Sequence, residues 1–336
     1  MFRQLIVLLV ILSSFYCTAA QEGPTPRSSG QLFYFKPNHS LILFDGYEKG
    51  VMPASGLAET WAWTGKWNKL DATSQPLRSL SGAAYISDKN SIFVYGGIGS
   101  KGYDDSLRDA YSYDGKKWDL LSTNFIGTHD HHEMAYDENN QAIVMYGGQN
   151  AKREFDTQTW IFKNNKWQAL NIPGPGPRAH HAMAYDAARK KVVLFGGGTS
   201  ANSSDETWEF DGTRWEKVES PVSPGLRAHH SMVYDPSRKK LLLFGGEIDM
   251  ECKGDVWAWG GYTWELLSVD GPKRILAAIA FNPDNNKLYV FGGNGGDQAT
   301  NIYSDLWEWD GKKWAQLDKG KVYKWDMGKD MFMIEQ

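Results

Sequence analysis

Adjacent histidines are the feature of the sequence most suggestive of chemistry. The stretches "HDHHEMAYD", "RAHHAMAYD" and "RAHHSMVYD" begin at His129, Arg178 and Arg227, and they hold seven of the eight histidines. Clustered imidazoles could bind zinc or copper. Each pair, however, is followed one residue later by Met-x-Tyr-Asp, and a metal site alone would not require those flanking residues. The stretches are therefore interpreted first as copies of a repeat.

An interval of seventeen residues recurs six times along the chain. It separates an arginine or histidine from an aromatic residue in Arg27–Phe44, Arg78–Tyr95, His129–Tyr146, Arg178–Phe195, Arg227–Phe244 and Arg274–Phe291. A glycine pair follows the aromatic residue in five copies, and Asp-Gly follows it in the first. Each copy closes with a tryptophan, at Trp67, Trp118, Trp167, Trp215, Trp264 and Trp314. Constant internal spacing indicates a repeat architecture.

Each copy predicts a four-stranded antiparallel meander. In the fourth copy, the alternating stretch "HHAMAY" predicts a first strand, and the apolar run "VVLF" predicts a buried second strand. The segments "ETWEF" and "RWEKV" predict a hairpin, since Asp211 and Gly212 between them tolerate a tight turn. Such a sheet has two apolar faces, which radial stacking would bury. We therefore predict an all-β fold, a six-bladed β-propeller with four antiparallel strands per blade.

The sequence of the copies resembles the kelch repeat. The pattern R-x-x-H-x-M-x-Y-D, then LFGG, then TWEF-DG-x-x-W extends from Arg27 to Leu317 and is similar to kelch-type propellers of secreted proteins. These belong to the superfamily of the galactose oxidase central domain. The resemblance implies that the first strand of each copy lies nearest the axis. Histidines of three neighbouring blades would then surround a central channel.

The two ends of the chain lie outside the repeat. Residues 1–20 combine one basic residue, an apolar run and a small-residue exit, which predicts a signal peptide cleaved after Ala20. The other predicted divisions are a short linker at 21–26, the propeller at 27–318 and a tail at 319–336. Because the tail is rich in apolar residues, we expect it to pack on the propeller, across its first and sixth blades or on its face.

Composition narrows the classes of partner and compartment. The net charge is −4 without a basic cluster, which argues against nucleic acid as a partner. After the leader, no segment approaches the about 18 apolar residues of a membrane span. The leader predicts a secreted or periplasmic protein. Only Cys252 remains after cleavage, so no intramolecular disulfide is expected, and we predict a monomer stabilised by packing.

The histidines at the third position of the copies are candidate ligand-binding residues: His131, His180 and His229. A metal site in the channel is one interpretation of these residues. Against it, neighbours on a strand point to opposite faces, so His180 and His181 could not both reach one ion. We therefore predict no metal and no cofactor. The resemblance implies that the fourth-position histidines pack and hydrogen-bond between blades.

The arginines at the first position form a second candidate ligand-binding set: Arg27, Arg78, Arg178, Arg227 and Arg274. In the kelch domain of an oxidative-stress sensor, arginines at this position contact ligand carboxylates. The resemblance therefore implies an acidic peptide or sugar acid as ligand. The alternative is an ion pair inside each blade, with Glu59, Asp109, Glu206, Asp255 and Asp305. The third copy favours pairing, because it has His129 and Gln158 at these two positions.

Two classes of function remain open. The first is an exported binding module that recognises a protein or glycan ligand, without catalysis, through the variable loops that follow the glycine pairs. The second is an enzyme that uses the channel, either a metal-dependent oxidase or a sugar-acid mutarotase or epimerase. The oxidase of the superfamily needs adjacent tyrosine and histidine, and no such pair occurs in this sequence. We assign no catalytic residue and favour the binding module.

Overall fold

A computed structural model describes residues 23–48, 56–72, 74–123, 126–199, 202–296, 299–326 and 331–335. The predicted signal peptide lies outside the described residues. Within them, the backbone forms six blades of four antiparallel strands each, and the predicted six-bladed β-propeller is confirmed. Over the same ranges, no helix has the length and apolarity needed to cross a membrane.

The first three blades each use one continuous segment of the chain. Blade 1 contains β1 (Gln31–Phe35), a 3-10 helix (Lys36–Asn38), β2 (Ser40–Phe44), β3 (Thr60–Trp63) and β4 (Trp67–Leu70). Blade 2 contains β5 (Gly82–Ile86), β6 (Ser91–Tyr95), a loop hairpin of β7 (Ile98–Gly99) and β8 (Gly102–Ser106), then β9 (Ala110–Tyr113) and β10 (Trp118–Ser122). Blade 3 contains β11 (Glu133–Asp137), β12 (Ala142–Tyr146), β13 (Thr159–Lys163) and β14 (Lys166–Leu170).

The last three blades follow the same order. Blade 4 contains β15 (Ala182–Asp186), β16 (Lys191–Phe195), β17 (Thr207–Phe210) and β18 (Trp215–Val218). Blade 5 contains β19 (Ser231–Asp235), β20 (Lys240–Phe244), a hairpin of β21 (Glu247–Ile248) and β22 (Glu251–Cys252), then β23 (Val256–Trp259) and β24 (Trp264–Ser268). Blade 6 contains β25 (Ala278–Asn282), β26 (Lys287–Gly295), β27 (Asn301–Trp309) and β28 (Trp314–Asp318), followed by β29 (Val322–Asp326) and β30 (Met331–Glu335).

The closing tryptophans pack the blades against one another. Trp264 of blade 5 lies against Phe195 of blade 4, with ring centroids 4.9 Å apart, and its Nε1 donates a 2.9 Å hydrogen bond to Thr207 Oγ1. The same contact, at 4.9–5.6 Å, recurs in Trp67–Phe291, Trp118–Phe44, Trp167–Tyr95, Trp215–Tyr146 and Trp314–Phe244. Each apolar second strand is thereby covered on both faces, as its sequence predicts.

The seam between blades 6 and 1 is closed by the same contacts as the other junctions. Trp67 supplies the aromatic contact to Phe291, and Gly293 N donates a 2.9 Å hydrogen bond to Arg27 O. In the tail, β29 pairs with β27 through Tyr323 and Val322. The hydroxyl of Tyr323 donates a 2.6 Å hydrogen bond to Glu48 Oε1 in blade 1. The tail therefore contacts both blades of the seam.

Removal of the tail is expected to destabilise the protein. A chain truncated after Lys319 loses the buried Tyr323 and the pairing of β29 with β27. We expect its melting temperature to fall by roughly 5 °C or more. Differential scanning calorimetry of both chains measures the change, and Tyr323→Phe, which removes only the hydroxyl, should shift it far less. Equal melting temperatures for the truncated and full-length chains would contradict a clasp role.

Candidate functional site

The propeller has two distinct faces. In every blade, the start of the first strand pairs with the end of the second, as Ala182 pairs with Phe195 in blade 4. The face at this end carries the loops between the second and third strands and is called the loop face. The opposite face carries the short turns between the first and second strands and between the third and fourth, and is called the turn face.

The repeated arginines are buried and paired inside their own blades. In blade 5, Arg227 donates two 3.0 Å hydrogen bonds to the carboxylate of Asp255 and one of 3.0 Å to Gly245 O. The equivalent ion pairs, at 2.8–3.0 Å, are Arg27–Glu59, Arg78–Asp109, Arg178–Glu206 and Arg274–Asp305. The five arginines are only 1–8% exposed. The predicted within-blade pairing is confirmed, and an external carboxylate would have to break it.

Blade 3 keeps the pair with different residues. His129 Nε2 lies 2.7 Å from Asp156 Oδ2, and both side chains are largely buried. Asp156 lies two residues before Gln158, the position aligned with the acids of the other copies. It also accepts a 2.7 Å hydrogen bond from Trp160 Nε1, as the equivalent acids do from their tryptophans. Comparison of aligned positions alone missed this residue, although an acid close upstream could have suggested it.

The fourth-position histidines are buried between blades. His230 Nε2 donates a 3.1 Å hydrogen bond to Phe195 O, and a Cβ on Gly196 would come within 2.8 Å of its ring. Gly196 also has a positive φ of 68°, so glycine both fits the backbone and makes room for the imidazole. Burial, with the positive charge of Arg227 nearby, lowers the pKa of His230 to about 3. This contact matches the interblade role that the resemblance implies.

The junction of blades 1 and 2 replaces that histidine contact with a buried acid. Asp45 stands where the other copies have the first glycine, and Ser81 stands at the fourth position. The Ser81 hydroxyl donates to Asp45 Oδ2, and Gly46 N donates to Asp45 Oδ1 at 2.6 Å. Burial outweighs these hydrogen bonds and raises the pKa of Asp45 to about 7. Asp45 of blade 1 is longer than the usual glycine, and Ser81 of blade 2 is smaller than histidine. The contact between the two blades is therefore kept.

The third-position residues form a ring around the axis at the loop face: Ser29, Leu80, His131, His180, His229 and Leu276. All six have left-handed backbones with φ of 53–59°, which is unusual for residues other than glycine. Backbone hydrogen bonds join them, as from His229 N to His180 O at 3.0 Å. The sequence argument placed His180 on a strand, and this is wrong: β15 begins at Ala182, after the left-handed turn.

The three histidines of this ring lie next to one another on the neighbouring blades 3, 4 and 5. The ring centroid of His180 lies 4.6 Å from that of His131 and 4.1 Å from that of His229. His131 Nδ1 pairs with Asp130, and His229 Nδ1 lies 2.9 Å from Glu247 Oε1. In the described ranges, no three His, Cys, Asp or Glu side chains are grouped to hold a metal ion. The proposed ligand contacts of these histidines remain a prediction.

The first strands enclose a central channel of about 480 Å³. Its middle is lined largely by alanines, with Phe33 of blade 1 and Val233 of blade 5 at equivalent positions; the alanines are Ala84, Ala135, Ala182, Ala184, Ala278 and Ala280. Its turn-face end is lined by one aromatic residue from each blade, at Tyr34, Tyr85, Tyr136, Tyr185, Tyr234 and Phe281. The volume lies in the range of small-ligand sites. The sequence analysis did not identify this aromatic ring, although the same position holds an aromatic residue in every copy.

One acid projects into the channel without a partner. Glu133 begins β11 and lines the cavity, and no hydrogen bond or ion pair joins its carboxyl to another described residue. The equivalent Gln31 and Ser231 donate to backbone oxygens, at 3.1 Å and 2.7 Å. Glu133 is partly exposed to the channel, and desolvation there raises its pKa to about 8, which favours the protonated acid at neutral pH. Sequence reasoning missed Glu133, which lies inside a quoted motif.

Within the described residues, every strand added to the four-stranded blades lies on the loop face. Two loops form the added hairpins β7–β8 and β21–β22, and β26 and β27 extend beyond their blade. The tail strands β29 and β30 join that extension. Met250, at the tip of the β21–β22 hairpin, is 74% exposed. Searches with the whole sequence found no matching family model and no significantly similar curated protein.

Proposed function

We propose that the chain is an exported kelch-type propeller, secreted or periplasmic and monomeric, that binds a protein or glycan ligand at its loop face without catalysis. The observation that carries the proposal is the confinement of the added strands to one face. On the turn face, connections of two to four residues join the described strands, one of them containing the 3-10 helix of blade 1, whereas hairpins, strand extensions and tail strands occur on the loop face. Rigid scaffolds with variable loops on one side commonly use those loops for recognition.

The exposed side chains of the loop face support recognition of another molecule. Met250 is among the most exposed apolar residues, and Leu226, in the neighbouring interblade segment, is 54% exposed. Flexible methionine side chains adapt to the surface of a partner. The loop base is fixed, since Glu247 and Ala228 form a backbone bridge that recurs at the same position in every blade. The hairpin therefore presents an exposed, apolar side chain on a base that is held by the backbone bridge.

The alternative enzyme that acts on sugar acids is less well supported. Its substrate carries a carboxylate, which a site would hold with an arginine or lysine. The repeated arginines instead donate into their own blades, and Lys36 is the only lysine or arginine among the residues that line the described channel. Glu133, the acid inside the channel, would repel such a substrate when ionised. The channel therefore favours a ligand other than an anion.

The test compares two exposed residues of blade 5 on opposite faces. Mature wild-type protein is screened on a glycan array and a panel of purified extracellular proteins, and the ligand found is titrated. Met250→Ser on the loop face should weaken binding about tenfold. Tyr262→Ser, the matched control, lies in the turn between β23 and β24 and is 72% exposed. Loss of binding in the control alone, or chemical conversion of the ligand by wild type, would overturn the proposal.

A further inference from the structure

We propose that the central channel is a second binding site, for a primary alkylammonium group whose nitrogen pairs with the carboxylate of Glu133. Such a group occurs in free alkylamines and at the end of a lysine side chain. The inference is independent of recognition at the loop face, because it uses the residues between the histidine ring and the aromatic ring. It accounts for an acid that has no hydrogen-bonding or ionic partner among the described residues.

The adjacent blades offer Glu133 no partner at the equivalent positions of their first strands. Its neighbours at the same position of the adjacent blades are Gly82 and Ala182, which have no polar side-chain atoms. Glu133 is only partly exposed, and a carboxyl confined in a channel without hydrogen bonds is unfavourable when ionised. A cation with several N–H donors would provide both opposite charge and hydrogen bonds. An ammonium group in the channel would therefore supply the partner that the adjacent blades do not offer to Glu133.

The other groups facing the channel do not supply a competing positive charge. Burial lowers the pKa of His131 and His180, so both imidazoles are neutral at pH 7. His229 is paired with Glu247, so this pair adds no net positive charge. At the turn-face end, Lys36 and Glu138 both line the opening and have opposite charges. Glu133 therefore determines which sign of ligand charge is favoured inside the channel.

The channel wall beyond Glu133 suits an alkyl chain. Along β11, Ala135 and Tyr136 follow Glu133 toward the turn face, and Tyr136 lies about 10 Å further along the strand. Ala184 and Ala280 add small apolar surface from other blades. This length accommodates an ammonium group with at least the four-carbon stem of a lysine side chain. The aromatic ring at the exit would contact the distal end of the chain.

The experiment titrates three probes of one length into the mature protein by calorimetry: n-hexylammonium, n-hexanol and n-hexanoate. We expect n-hexylammonium to bind and both other probes to bind at least tenfold more weakly. At pH 7 its binding should also release protons, because pairing ionises Glu133. Proton release is measured as a dependence of the binding enthalpy on the ionisation enthalpy of the buffer. Equal affinity for n-hexanol would show a merely apolar channel and overturn the proposal.

Variants locate the ammonium group. Glu133→Gln keeps the size of the side chain and should weaken n-hexylammonium binding at least tenfold, whereas Glu138→Gln at the opening should change it less than twofold. In wild type, carboxyl ¹³C resonances should show the pKa of Glu133 falling when the probe binds, a readout that needs no variant. Unchanged affinity in Glu133→Gln, or an unchanged pKa, would overturn the assignment. Met250→Ser should leave probe binding intact, which separates this site from the loop face.

Discussion

Replacement of Trp264 by alanine is expected to lower the free energy of unfolding by about 3–5 kcal/mol. The side chain is 2% exposed and packs against Phe195 of the neighbouring blade and Trp259 of its own, with centroids 4.9 Å and 5.3 Å apart. Truncation would open a cavity between blades 4 and 5 and remove the hydrogen bond to Thr207. Because the contact recurs at all six junctions, it reports on the interaction that holds the ring together.

Urea denaturation at 25 °C, followed by circular dichroism, measures this loss. The matched control is Tyr262→Ala in the same blade, since Tyr262 is an aromatic residue that is 72% exposed. It should change the free energy of unfolding by less than about 0.5 kcal/mol. A loss below about 1 kcal/mol for Trp264→Ala would mean that the closing tryptophans do not hold the blades together.

Acidification from pH 6.5 to 4.5 is expected to destabilise the protein through its buried histidines. His230 has a pKa of about 3 in the folded protein, because burial and the adjacent Arg227 disfavour its charged form. An unfolded histidine has a pKa of about 6.5. In this interval the unfolded chain therefore binds the proton and the folded chain does not, so stability falls as the pH falls. His230 alone should contribute about 2–3 kcal/mol to that loss.

A variant of His230 separates its contribution to the pH dependence of stability from the opposite contributions of two acids. Desolvation raises the pKa of Asp45 to about 7 and that of Glu133 to about 8. Their contribution to the stability of the folded protein therefore decreases as the pH rises toward those values. Over the same interval, acidification therefore favours the folded form through these two acids. His230→Gln keeps a polar side chain but cannot titrate. Its loss of stability between pH 6.5 and 4.5 should be about 2–3 kcal/mol smaller than in wild type; an equal loss would contradict a neutral, buried His230.

The fold could be predicted from sequence because each copy encodes a complete blade. The spacing from Arg227 to Phe244 recurs throughout, and the joint absence of arginine and aligned acid from the third copy pointed to the ion pairs. Both features become visible when the six copies are aligned and their equivalent positions are compared. The pairing of Asp156 with His129 was missed because the acid had moved two residues along the chain. Comparison of aligned positions does not detect a contact when one of its residues has moved along the chain.

The channel site follows from comparison of neighbouring blades around one axis and not from the pattern within any one copy. Glu133 is distinctive because Gly82 and Ala182 beside it cannot pair with it, and those residues lie in other blades. The histidine ring was misplaced because the left-handed turn before each first strand has no glycine to indicate it. Both features follow from backbone conformation and from contacts between blades, whereas the repeat pattern describes each blade separately.

If the repeated charged residues stabilise their own blades and leave recognition to the channel and loop face, Arg227 and Asp255 must be strongly coupled in stability. The direct measurement is a double-mutant cycle by urea denaturation, with Arg227→Met, Asp255→Asn and both together. Arg227→Met should cost about 3–5 kcal/mol, because it leaves a largely buried Asp255 without its partner. The coupling energy should reach about 1.5 kcal/mol or more. A coupling near zero, with unchanged stability and lost binding of an acidic peptide in Arg227→Met, would instead make the arginines a ligand site.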